Sequence, residues 1–142
     1  MLINLSALNG SAGYAFVIKG IEYFRTAIRL DPDYAAAFAG LADALVMAGS
    51  IADMMTPQEA RKQAQDAALH ALQLDSTSAE AYSALGFMSL MFESNWQAAE
   101  DNLKRAVGLN PSNTGAYRWY SLYLTALGRH EEAISSSQFR VR

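Results

Sequence analysis

The chain has 142 residues, of which 51% are hydrophobic and 18% charged, and it contains no cysteine. This composition can bury a core, which excludes a disordered protein, and the missing cysteines exclude disulfides, thiolate metal sites and cysteine nucleophiles. The net charge of −3, with scattered basic residues, disfavours nucleic acid as a partner, because binding to phosphates requires a basic face.

Helix formers dominate the sequence, and alanine alone occurs 26 times, which favours an all-α fold. The first elements flank a glycine-rich stretch. We expect a short helix before Gly10 and a continuous helix from about Tyr14 to Leu30, because glycine is a poor helix former. A polar turn with Pro32 follows, and the next helix begins near Asp33. Residues 50–55 then form an extra segment between helices.

A capping box opens the next predicted helix. Thr56 is placed as the N-cap, Pro57 lies in the first turn, and Glu59 follows three residues after the cap. This pattern predicts a long helix from Pro57 to about Leu74. After a turn at residues 75–77, another helix is expected from about Ser78.

The C-terminal part contains one surplus residue near Trp96 and predicts a helix that ends at Leu109. The following helix is expected from about Asn113, and a final one from Glu131 to Arg142. Neither end of the chain shows the polar outer face of a terminal repeat. The chain is therefore expected either to be a piece of a longer solenoid or to cover its ends by self-association.

The sequence repeats internally. Residues 27–45, 71–89 and 106–124 align without gaps, at offsets of 44 (27 to 71) and 35 (71 to 106). Equivalent positions are aromatic (Phe38, Tyr82, Tyr117), then large and apolar (Leu41, Leu85, Tyr120), then small (Ala42, Gly86, Ser121), and the series ends at Leu45, Ser89 and Leu124. This spacing predicts one buried stripe on each helix.

These repeated positions resemble the tetratricopeptide repeat, a unit of about 34 residues. The resemblance implies an all-α fold, a right-handed superhelical solenoid of about 3.5 helical hairpins. It also implies a single domain, 1–142, with approximate repeats 1–34, 35–78, 79–113 and a truncated 114–142.

Two stretches, 19–43 and 96–134, further resemble the tetratricopeptide-repeat regions of bacterial multidomain regulators. In those proteins the repeats follow an adenylate-cyclase, winged-helix DNA-binding or kinase domain, none of which this chain contains. The resemblance implies a non-catalytic module that binds a protein or peptide, as the regulatory or interaction part of a larger bacterial signalling or transcription-regulating protein. The alternative is a structural module that self-assembles into a homo-oligomer through its uncapped solenoid ends.

In the resembling family, ligands lie in a concave groove formed by the first helix of each hairpin. The positions of this chain that fall on that face are Asp43, Met47, Ser83, Phe87, Leu90, Met91, Arg118 and Leu122. The middle of this set is apolar, and a phenylalanine with neighbouring methionines forms a surface that accepts helices or extended peptides. The other interpretation is that the 50–56 loop fills this groove.

The sequence shows no pattern for catalysis. The two histidines, His70 and His130, have too few converging partners for a zinc site. No phosphate-binding glycine motif and no calcium loop occurs. We therefore expect no enzyme activity, no cofactor and no metal. The chain has no run long enough to cross a membrane and is expected to be cytoplasmic.

Overall fold

The computed structural model describes residues 11–50, 54–112, 120, 121 and 123–128, and within these ranges it contains helices and turns with no strand. The helices are α1 (Ser11–Leu30), α2 (Ala35–Ser50), α3 (Pro57–Leu74), α4 (Ala79–Met88) and α5 (Trp96–Leu109). A π-helical turn, Ser89–Glu93, continues α4, and residues 120, 121 and 123–128 are helical. The predicted all-α fold is confirmed.

The helices stack as hairpins. Helices α2 and α3 form one hairpin, and α4 and α5 form the next. Helix α4 packs against both members of the preceding hairpin, and α1 packs against α2 in the way that α3 packs against α4. This arrangement is that of a tetratricopeptide-type helical solenoid, as the sequence predicts.

Three equivalent turns connect the repeats. The side-chain Oδ1 of Asp31, Asp75 and Asn110 accepts the backbone N–H two residues later, at N···O distances of 3.1, 3.0 and 3.1 Å. Each of these residues also donates its own N–H to the carbonyl four residues earlier. The same bonds therefore recur at the three positions that the sequence alignment makes equivalent.

The starts of α3, α4 and α5 are capped by side chains. Thr56 Oγ1 accepts the N–H of Glu59 at 3.2 Å, as the capping box predicts, and α3 runs from Pro57 to Leu74. Ser78 and Asn95 cap α4 and α5 in the same way. Each cap satisfies one of the backbone N–H groups that a helix start leaves without a partner.

Helix α1 begins earlier than predicted. It starts at Ser11, not at about Tyr14, so Gly13 lies inside the helix. Glycine lowers helix stability by only about 1 kcal/mol and does not forbid helical dihedral angles. The predicted short helix before Gly10 and the predicted final helix from Glu131 lie outside the described residues.

The surplus residue of the third repeat appears as the π-helical turn Ser89–Glu93. A π-turn holds one residue more than an α-helical turn, so the insertion is absorbed before Trp96 without shifting α5. Ser94 then ends the turn in the left-handed conformation, with φ of 48°. The ion pair between Arg61 and Glu93, at 3.6 Å, joins this turn to α3.

The largest core cluster lies where the two hairpins meet, around Leu45, Val46, Phe87, Leu103 and Tyr123. A row of small residues on α3 and α5 is also buried: Ala64, Ala71, Ala99 and Ala106 expose at most 1% of their surface.

The buried stripe of the last described helical segment differs from the prediction. Leu124 exposes 47% of its surface, whereas its neighbour Tyr123 is buried. The Tyr123 hydroxyl donates to Glu100 Oε2 at 3.0 Å, and the ring packs near Tyr120 and Trp96. A tyrosine that finds both a hydrogen-bond acceptor and aromatic neighbours takes the buried position, and Leu124 remains outside.

Candidate functional site

Helix α1 presents a row of large apolar side chains to solvent. Phe16 exposes 74%, Tyr23 69% and Leu30 79% of its surface. At about 100° per residue, these three lie on one face together with two small residues that separate them. This face is called the α1 seam, and it consists of Phe16, Gly20, Tyr23, Ala27 and Leu30.

A second face of α1 holds the helix on α2. Val17 is buried and packs with Ala48, and Ile21 packs against the same cluster. The Phe24 ring lies directly over Gly40, in space that a Cβ on that glycine would occupy. The packing of α1 is thus satisfied by residues beside the α1 seam, and the α1 seam itself is left for another contact.

A cavity of about 580 Å³ opens between the α1 seam and α2. Its lining is almost wholly apolar, and the charged exceptions are Lys19 and Asp43. The lining residues are Phe16, Val17, Lys19, Gly20, Tyr23, Phe24, Gly40, Asp43, Ala44 and Met47. A concave apolar surface with a few polar groups is the usual form of a binding site.

The next repeat shows what covers the equivalent face. Residues 44 positions further on are Ala60, Ala64, Ala67, Ala71 and Leu74 of α3, and the four alanines are buried. Helix α2 covers them: Ala42 clusters with Ala67, Ala39 clusters with Ala71, and Gly49 lies against Ala60. On α3 the stripe is therefore covered by a helix, whereas on α1 its large side chains remain exposed.

Two of the groove residues predicted from the sequence belong to this cavity. Asp43 and Met47 are half-buried and line it from the α2 side. Met47 also packs against the main core cluster. These two residues lie beside the α1 seam, which the sequence reading did not single out.

Ser83 and Phe87 lie elsewhere than expected. They expose 5% and 1% of their surface, so the expectation that they line an open groove is wrong. Helix α4 is apolar on most sides and packs against α2, α3 and α5, which leaves little of it for solvent. Phe87 is therefore a core residue.

Leu90 and Met91 belong to the π-helical turn. Leu90 is half-buried against the core cluster that contains Phe87, and Met91 exposes 41% of its surface. Met55, from the segment between α2 and α3, packs against the same cluster, which favours the interpretation that this segment covers the predicted groove. Arg118 and Leu122 lie outside the residues whose side chains are described.

The described residues show little that is typical of catalysis. No group of three or more histidine, aspartate or glutamate side chains within them is arranged to hold a metal ion. His70 is exposed, and its ring packs on Phe38 with 4.1 Å between centroids. Lys104 donates to Glu100, and this bond, together with that from Tyr123, holds the pKa of the Glu100 carboxyl below its ordinary value. The contacts of His70 with Phe38 and of Tyr123 with Glu100 join neighbouring helices, whereas the pair of Lys104 and Glu100 lies within α5.

No helix in the described part of the chain combines the length and the apolar character needed to cross a membrane. The exposed apolar face on α1 is a single seam of a helix whose other side packs on α2. Such a seam is suited to contact with another protein segment.

Sequence reasoning overlooked the α1 seam, although the signal was present. Phe16, Tyr23 and Leu30 recur every seven residues, which places them on one helical face. The neighbouring positions that pack on α2, such as Val17 and Phe24, are equally apolar. The pattern alone therefore did not distinguish the covered face from the exposed one.

Comparison with known proteins agrees with the fold. Residues 85–137 match the family described as tetratricopeptide repeat. A comparison with curated proteins finds no match. The matched range includes the C-terminal end of α4, the π-helical turn and α5, so the resemblance rests there on both sequence and structure. This part of the chain is similar to the tetratricopeptide repeat family.

Proposed function

We propose that the chain is a non-catalytic protein-interaction module whose binding surface is the α1 seam with its adjoining cavity. The observation that supports this is the exposure of Phe16 and Tyr23 beside an apolar cavity of about 580 Å³. Burying large aromatic side chains in a concave site is the main source of affinity in protein interfaces. Similarity to tetratricopeptide repeats, which commonly bind proteins, agrees with this role.

The proposal also concerns the larger protein of which this module would be a part. Resemblance to the repeat regions of bacterial multidomain regulators supports a role as the regulatory or interaction part of a larger signalling or transcription-regulating protein in the cytoplasm. Sequencing the DNA on both sides of the segment that encodes this chain tests this regulatory role directly. A neighbouring catalytic or DNA-binding domain in the same reading frame is the expected result, and a reading frame without one contradicts it.

The binding role is tested by capturing partners from a native lysate with the immobilised chain. Phe16→Glu places a charge on the α1 seam at a position that is 74% exposed, so folding should be unaffected. Leu69→Glu is the matched control, because Leu69 is also exposed, at 45%, but lies on α3.

The expected result is a partner that wild type and Leu69→Glu retain and that Phe16→Glu loses, with equal helical circular dichroism for all three. Equal capture by all three chains contradicts the assignment of this surface. Capture of no protein at all contradicts the binding function.

A further inference from the structure

We propose that the groove between α1 and α3 binds a free α-amino acid with a large apolar side chain. The groove has a volume of about 360 Å³, within the range of small-ligand sites. Helix α2 forms its floor, and α1 and α3 form its walls. It shares no lining residue with the cavity beside the α1 seam, so this site is independent of the proposed function.

The floor of the groove is apolar. Phe38, Leu41 and Leu45 of α2 form it, and Ala67 of α3 continues it on one side. None of these side chains carries a hydrogen-bonding group. The part of a ligand that lies on this floor must therefore be apolar, because a polar group there would lose its bonds to water without replacement.

The two walls carry side chains of opposite charge, Arg25 on α1 and Asp66 on α3. In the described part of the chain neither of them forms an ion pair, and Arg25 donates to the neutral amide of Gln63, with 3.5 Å between Nη2 and Oε1. The guanidinium therefore keeps most of its donors for a ligand carboxylate, and Asp66 keeps its carboxylate for a ligand ammonium.

The spacing of these charges favours an α-amino acid. Gln63, which Arg25 reaches, and Asp66 are three residues apart on α3, so their side chains start about 5–6 Å from one another. A carboxylate held by Arg25 and an ammonium held by Asp66 must therefore lie close together in the ligand. In an α-amino acid one carbon carries both groups, whereas in a peptide they lie at opposite ends of the chain.

The rest of the groove can receive the side chain of the ligand. From Asp66 to His70 the wall formed by α3 continues for about 6 Å, at 1.5 Å per residue. Over this length Phe38 and Leu41 form the floor, and the His70 ring lies at the far end, packed on Phe38 with 4.1 Å between centroids. This length suits a side chain such as that of leucine or phenylalanine, and the apolar floor favours it over a polar one.

The stacking of His70 on Phe38 recurs in the next repeat. Arg105 of α5 lies over the ring of Tyr82, with 4.9 Å from its Cζ to the ring centroid. The two pairs are equivalent, because position 82 follows 38 at the offset of 44 and position 105 follows 70 at the offset of 35. This contact belongs to the packing of each hairpin, so we assign His70 no role in holding the charges of the ligand.

Arg25, in contrast, does not recur. Leu69 occupies the equivalent position, 44 residues further on. The equivalent of Asp66 is Asp101, 35 residues further on, and it accepts a hydrogen bond from Gln97 at 2.9 Å. The next repeat thus packs without an arginine on this wall and with its aspartate already bonded. Packing does not account for the two opposite charges of the first groove, whereas a ligand that carries both charges does.

Binding is measured with L-leucine as the probe, from the movement of the amide NMR signals of the chain. Two analogues separate the charges: isocaproate is leucine without its ammonium group, and isoamylamine is leucine without its carboxylate. We expect leucine to move the signals of residues around the groove. Each analogue should bind at least about tenfold more weakly, because each loses one charge-assisted hydrogen-bonding contact.

Four variants test the residues. Arg25→Gln and Asp66→Asn each remove one charge at an exposed position of the groove. Arg29→Gln, one turn further along α1, and Asp101→Asn on α5 are the matched controls, because they make the same chemical changes outside the groove. We expect each groove variant to bind leucine at least about tenfold more weakly and both controls to bind it as wild type does. Equal helical circular dichroism establishes that all four variants fold.

The proposal is overturned if neither L-leucine nor L-phenylalanine moves the signals of the groove at millimolar concentration. Binding of isocaproate as tight as that of leucine would also overturn it, and would indicate a carboxylate ligand without an ammonium group, such as the C-terminus of a peptide. Equal binding of leucine by wild type and Arg25→Gln would place leucine outside this groove. None of these outcomes affects the α1 seam, which is tested separately by the capture of proteins with Phe16→Glu.

Discussion

Gly49 of α2 lies so close to Ala60 of α3 that a Cβ on the glycine would overlap the Cβ of the alanine. Both residues belong to helical backbone, so neither can move without shifting a whole helix. The hairpin formed by α2 and α3 is therefore held at a distance that only a glycine at position 49 permits.

Gly49→Ala is accordingly expected to destabilise the chain by about 1–3 kcal/mol, the usual cost of overpacking a core. Urea denaturation followed by circular dichroism measures the change. The control is Gly108→Ala on α5, where no described atom lies within 4 Å of the added Cβ. There the better helix propensity of alanine should raise stability by about 0.5–1 kcal/mol. A Gly49→Ala variant as stable as wild type would contradict the close contact.

Phe87 is expected to contribute to stability because it is buried in the main core cluster. Phe87→Ala should lower the free energy of unfolding by about 3–5 kcal/mol, the range for removing a buried phenylalanine. Met91→Ala, a few residues away on the exposed part of the π-helical turn, should change it by at most about 0.5 kcal/mol. Denaturant unfolding of both variants decides this. A small effect at Phe87 would mean that its side chain is not packed.

Ser94 adopts the left-handed conformation, with φ of 48°, which costs a residue with a Cβ about 1–2 kcal/mol. Ser94→Gly removes that cost and should raise the free energy of unfolding by about 1 kcal/mol, after the greater freedom of glycine in the unfolded chain is included. Ser76→Gly, in a turn without positive φ, is the control and should be destabilising. Thermal unfolding of the two variants would show opposite shifts.

Asp75 should make stability depend on pH. Hydrogen bonds from the Thr77 hydroxyl and backbone N–H hold the pKa of its carboxyl below the ordinary value of 3.8. Because the folded pKa is the lower one, this contribution is present above the ordinary value and is lost as the pH falls through the folded pKa. An NMR titration of the Asp75 carboxyl measures the pKa directly.

The variant Asp75→Asn tests the effect of the carboxylate charge on stability while the hydrogen bond of the turn is kept. An asparagine occupies the equivalent position 110 and makes the same bond, so Asp75→Asn should keep the turn. Its difference in stability from wild type should shrink as the pH falls below 3.8. A difference that does not vary with pH would contradict the lowered pKa.

The parts of the fold that depend on near neighbours in the chain could be predicted from the sequence. The turn at Asp31 and the cap at Thr56 use groups within four residues, so residue type and spacing were sufficient. The alignment of the repeats also revealed the surplus residue of the third repeat. It could not reveal that this residue is accommodated in a π-helical turn, because an alignment counts residues without giving their hydrogen bonds.

The candidate site depended on long-range packing and was predicted less well. Phe87 was assigned to an open face because one stripe on α4 was taken to be the whole buried surface, but three other helices surround α4. Met47 and Asp43 were placed beside a cavity only through the approach of α1 to α2. Which of two apolar faces of α1 is covered is decided by that approach and not by the residues of α1 alone.

The order in which parts of the chain unfold depends on the three turns between repeats, at Asp31, Asp75 and Asn110. Each turn closes its hydrogen bonds with groups at most four residues away. One hairpin can therefore separate from the stack while the turns of the others stay formed. Amide hydrogen exchange should be slowest in α2 and α4, each of which packs against three other helices, and fastest in α1, which packs mainly on α2.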